Sequence, residues 1–142
     1  MRRQSIPVFL PIIAFVMLAC NAESVAGRYV LRSVGGTALP AEYSANADVH
    51  TRILADTLIL AAGAGQERSV AQSTPDAVPY ARTTRLVYEQ RGDRLEITLI
   101  PDCPPNANCS LARLDGRVTS AEIEIDDSNF YRTRLSFERA GP

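Results

Sequence analysis

His50 is the only imidazole in the chain, so any nucleophile–histidine–carboxylate relay must pass through it. It lies close to Asp48 and Thr51 at the start of a strand-like run, and no nucleophile elbow occurs anywhere in the sequence. The pattern is that of a surface histidine. Glu122 and Glu124 are two residues apart, a spacing that puts both on one face of a strand, as an acid–base pair requires. They alternate with Ile123 and Ile125, which makes them the solvated face of a sheet. Asp126-Asp127-Ser128-Asn129 offers oxygen ligands but lacks the glycine and the downstream glutamate of a calcium loop; it reads as an Asx-type turn. Arg91-Gly92-Asp93 spells an adhesion tripeptide, and as structure it is a polar hairpin turn in which Gly92 supplies a positive φ. With no phosphate loop and no metal cluster beside these, the sequence predicts neither an enzyme nor a cofactor or metal protein.

The strongest functional signal is at the N-terminus. Arg2 and Arg3 form a cationic head, and Gln4 to Ala19 is free of charge and ends at Ala19-Cys20. A positive head followed by an apolar run is the pattern of a secretory signal. The uncharged stretch is 16 residues long with two prolines, against about 20 apolar residues for a membrane-spanning helix. Met17-Leu18-Ala19-Cys20 resembles the loose form of the lipobox of bacterial lipoproteins, in which the cysteine is acylated and becomes the mature N-terminus. The resemblance implies a signal peptide over 1–19, lipidation at Cys20 and a tether over 20–26. It places the protein in the cell envelope, anchored to a membrane. Asn21 rather than Asp after the cysteine leans towards the outer membrane, facing the periplasm.

Removing residues 1–19 leaves 123 residues, enough for one domain with a single core. The chain contains no lysine, and its 15 arginines and 16 acidic residues are interspersed rather than gathered in blocks. Nucleic acid is therefore not an expected partner. Three cysteines leave one unpaired; acylation of Cys20 removes the odd one. Cys103 and Cys109, six apart in a segment of Pro, Asn and Asp, are then expected to pair across a turn-rich loop in an oxidising compartment. Zinc is the alternative, but the spacing is too long for the usual knuckle and one histidine cannot complete the site.

The elements that carry these residues read as strands. Tyr29 and Leu31 alternate with Arg28 and Arg32 before Gly35-Gly36. Val49 to Leu54 and Thr57 to Ala61 read as two strands separated by Ala55-Asp56, and Glu67 to Ala71 as a short one. Thr37 to Asp48 reads as loop, with a helical turn near Glu42. Arg82–Gln90 and Arg94–Ile100 form a hairpin about Arg91-Gly92-Asp93, with Leu95, Ile97 and Leu99 on one face. Asp115-Gly116 reads as a further hairpin turn, and Phe130 to Arg139 as the last strand. Period-two alternation at short intervals, without a sustained helical period, predicts an all-β fold. It is expected to be an antiparallel meander of about eight or nine strands over 27–142, closed into a small barrel that leaves no edge.

Gly27-Arg28-Tyr29 on the first strand and Arg139 at the end of the last resemble the Gly-x-Trp opening and late arginine of lipocalin-type barrels, with Tyr in place of Trp. The stretch 27–40 also resembles the opening of small bacterial lipoproteins with a lipocalin-like domain. That likeness implies an accessory or binding role at the membrane. Tyr29, Leu31, Tyr88, Leu95 and Tyr131 would then line a cup for a small apolar or amphiphilic ligand. The alternative is a solid-core module that contacts another envelope protein.

Overall fold

The computed structural model describes residues 24–46, 49–73, 78–127 and 133–141. They form ten strands: β1 (Gly27–Val34), β2 (Thr37–Ala38), β3 (Ala41–Asn46), β4 (Val49–Ala61), β5 (Ala64–Ser73), β6 (Tyr80–Arg91), β7 (Arg94–Ile100), β8 (Ala112–Val118), β9 (Glu122–Asp127) and β10 (Thr133–Arg139). The fold is the all-β antiparallel meander that alternation predicts. Eight strands run β1-β10-β9-β8-β7-β6-β5-β4, and β4 pairs back onto β1 to close a barrel.

The closing seam is short. Gly27–Val30 of β1 pair with Leu60–Thr57 of β4, and above that level the two strands part. There β1 takes β2 as its neighbour and β4 takes β3. The segment Thr37 to Asn46, expected as loop with a helical turn, instead supplies β2 and β3, because it occupies backbone edges that the seam leaves open. Two bulges, between Leu31 and Ser33 in β1 and between Ile53 and Ala55 in β4, add the local twist that closure needs.

The bulge in β4 corrects the expected break at Ala55-Asp56. One strand of 13 residues runs through it, and the extra residue shifts the side-chain phase. Ile53 points inwards before it; Asp56, Leu58 and Leu60 are buried after it. Likewise β5 is longer than the expected Glu67–Ala71. Asp115-Gly116 is no turn but lies within β8. The chain reverses instead at Thr119–Ala121, where Thr119 N–H donates to the Glu122 carbonyl at 2.8 Å. Gly116 serves close packing: a Cβ there would lie 3.0 Å from the Glu124 carbonyl oxygen and 3.6 Å from Leu95 Cβ. The turn at Gly92-Asp93 is as expected, with Gly92 at φ 65°.

The lower interior is a closed apolar core of Tyr29, Leu31, Leu58, Leu60, Leu86, Leu95, Ile97, Ile123 and Phe137, each buried. Leu95, Gly116, Ile125, Leu135 and Val34 are successive cross-strand partners around five strands, and all but Gly116 belong to the barrel's apolar cluster. Cys103 and Cys109 form the expected disulfide in the exposed loop between β7 and β8.

Candidate functional site

The base of the barrel is latched by the pair that the sequence singled out. Arg139 ends β10 directly opposite Tyr29 of β1, and its guanidinium lies 5.3 Å from the Tyr29 ring centroid. Its Nη2 and Nε donate to the Tyr29 hydroxyl at 2.8 and 3.2 Å, and Nη2 also donates to the Ser24 carbonyl at 3.0 Å. The Tyr29 hydroxyl donates to the Val25 carbonyl at 2.9 Å. Val25 N–H donates to Gln90 Oε1 at 3.1 Å, and the Val25 side chain is buried. Ser24 and Val25, just before β1, are thereby held against the lower end of the barrel.

Four of the five residues expected to line an apolar cup are described. Tyr29, Leu31 and Leu95 are buried core side chains, and Tyr88 is half-buried and packed against that core. The structure brings these four into one apolar cluster. Tyr131 and Cys20 lie outside the described residues. His50 is exposed on β4, as a surface histidine should be. Glu122 is exposed and Glu124 lies 3.9 Å from Arg134 on the outer face.

The outer face orders its charges in rows. Glu89, Glu96, Asp115 and Asp126 are successive cross-strand partners on β6 to β9, and Arg134 of β10 completes the row. Arg91, Arg94 and Arg117 form the row below, followed by Glu124. Like charges directly opposite repel; each row offsets this by lying beside the other, as in the 2.7 Å Arg91–Glu89 pair. Together the rows line a groove of about 410 Å³.

The most unusual chemistry is inside, above the apolar core. Asp56 of β4 is 4% exposed and Asp127 of β9 is 1% exposed. Glu67 of β5, partly buried, shares a side-chain hydrogen bond with Asp56. In register, Asp56 is opposite Ser69, and Ser69 opposite Arg82 of β6; Glu67 is flanked by Leu58 and Thr84. Two carboxyl groups in contact, one buried and one partly so, cannot both ionise cheaply. Burial above all, then the Glu67 charge, pushes Asp56 up to about 9, so Asp56 carries the shared proton. Glu67 is raised by burial and by Asp127, against which the Asp56 hydrogen bond and Arg82 act. Asp56 Oδ1 has no hydrogen-bond partner among the described residues.

Sequence reasoning missed this cluster. The available signal is an aspartate inside the otherwise apolar run Ile53-Leu54-Ala55-Asp56-Thr57-Leu58, which by sequence alone reads as punctuation between strands.

Fold and site together define a closed, eight-stranded antiparallel barrel with a solid apolar base and an acidic upper interior. No family model, curated protein or solved structure matches the chain.

Proposed function

We propose that the protein is a membrane-tethered envelope lipoprotein with a lipocalin-like barrel, acting as an accessory scaffold through its surface rather than as a carrier of fatty chains. The observation that carries this reading is the filled lower interior, in which Tyr29, Leu31, Leu95 and Phe137 are at most 2% exposed. A cavity for an apolar ligand lined by these residues would require the core to open. The lipobox-like Met17-Leu18-Ala19-Cys20 supplies the tether. From Cys20 to Ser24 the chain spans at most about 14 Å, so lipid on Cys20 would turn the latched base towards the membrane. The opposite end and the charged outer face would remain free for an envelope protein.

The test joins anchoring to ligand exclusion. Cys20→Ser should move the protein from the membrane to the soluble fraction, with acyl mass lost from its N-terminal peptide. Titration of that soluble variant with a fluorescent fatty-acid probe should give no saturable signal at micromolar concentration. Saturable binding that unlabelled fatty acid displaces would overturn the scaffold reading in favour of an amphiphile carrier. A soluble, unacylated wild type would overturn the tether.

A further inference from the structure

We propose that the acidic upper interior of the barrel, formed by Asp56, Glu67 and Asp127, is a binding site for a compact primary ammonium ion. The site stands apart from the tether and from the outer face. Three acidic side chains reach it from three different strands, β4, β5 and β9, and Arg82 of β6 is the cation that acts on Glu67 there. The buried side chains of the other barrel strands are apolar, among them Leu31 and Val34 of β1, Ile97 of β7, Leu114 of β8 and Leu135 of β10.

The feature that points to a ligand is Asp56. It is almost wholly buried, yet one of its carboxyl oxygens meets no donor among the described residues. Buried polar atoms are nearly always satisfied, and an exception marks a missing partner. The β4 bulge makes the placement specific, because without it Ala55 would take the inward position. The Asp56 cross-strand neighbour Ser69 and the Glu67 partner Thr84 are small and polar.

The ligand class follows from the spread of the acceptors. Among the described residues, no three acidic, histidine or cysteine side chains are grouped to hold a metal ion. A primary ammonium carries three donors that diverge from one nitrogen, so it can meet Asp56 Oδ1 and a second carboxylate without tight convergence. It would take the place of the proton on Asp56. A quaternary ammonium has no N–H to give. A long apolar tail would meet the filled core beneath, so the ligand is compact.

The test is calorimetric titration of the protein at pH 7 with methylammonium and with 1,4-diaminobutane, in two buffers of different ionisation enthalpy. Saturable binding with release of about one proton per site is expected. Asp56→Asn should weaken binding at least about tenfold and abolish the proton release. Glu67→Gln is the second variant should the first fail to fold, with the same weakening expected. Glu96→Gln, on the outer acidic row, should bind as the wild type does. Absence of saturation by either amine would overturn the proposal. So would unchanged affinity in both interior variants, loss of binding in Glu96→Gln instead, or binding of Ca²⁺ without binding of the amines.

Discussion

Replacing Asp56 by asparagine should stabilise the protein, and by an amount that depends on pH. Burial and Glu67 hold Asp56 protonated up to about 9, against an ordinary value of 3.8. Between those values the folded chain keeps a proton that the unfolded chain has released. Unfolding therefore releases a proton, and stability falls as pH rises through the whole window. The slope is about 1.4 kcal/mol per pH unit. Stability from this source is complete below about pH 4 and lost by about pH 9; at pH 7 the deficit reaches about 4 kcal/mol. Asparagine has the same shape, and its amide can donate to Glu67 as the carboxylic acid does, with no proton to hold. Part of the cost stays with Glu67, itself raised by burial and by Asp127, so a gain of roughly 2–4 kcal/mol at pH 7 is expected. Urea unfolding at pH 4, 5.5, 7 and 8.5 measures it. The two proteins should coincide near pH 4 and diverge as pH rises. An Asp56→Asn protein less stable than the wild type at pH 7, or a difference that is the same at every pH, would refute the reasoning.

Tyr29→Phe keeps the ring in the core but leaves the Val25 carbonyl and two Arg139 donors without their shared partner. It should lower stability by about 1–2 kcal/mol, seen as an earlier urea midpoint with an unchanged slope; a neutral result would mean that water replaces the latch freely. Replacing both Cys103 and Cys109 by serine opens a short, exposed loop. It should cost about 2 kcal/mol while leaving the far-ultraviolet circular dichroism of the barrel unchanged, whereas loss of the β signal would show that the loop organises the sheet.

The all-β class was legible in the sequence because local alternation is enough to state it. Leu95-Glu96-Ile97 and Ile123-Glu124-Ile125 bury one side and hydrate the other wherever the strand goes. Tyr29 and Arg139 were singled out by a family resemblance, but their contact, between partners 110 residues apart, is a finding of the structure. The disulfide followed from parity and spacing. What alternation cannot carry is phase across a bulge. One extra residue in β4 turns Asp56 from an apparent break into a buried acid, and the bulge exists because a curved sheet must close on β1. Asp115-Gly116 has the composition of a turn, but its glycine answers a close approach by Glu124 and Leu95 from neighbouring strands. Whether Tyr29, Leu31 and Leu95 surround a space or fill it was equally beyond the sequence. All of them are inward-facing in either case, and only the closed barrel sets how far each is buried, here to at most 2% exposure.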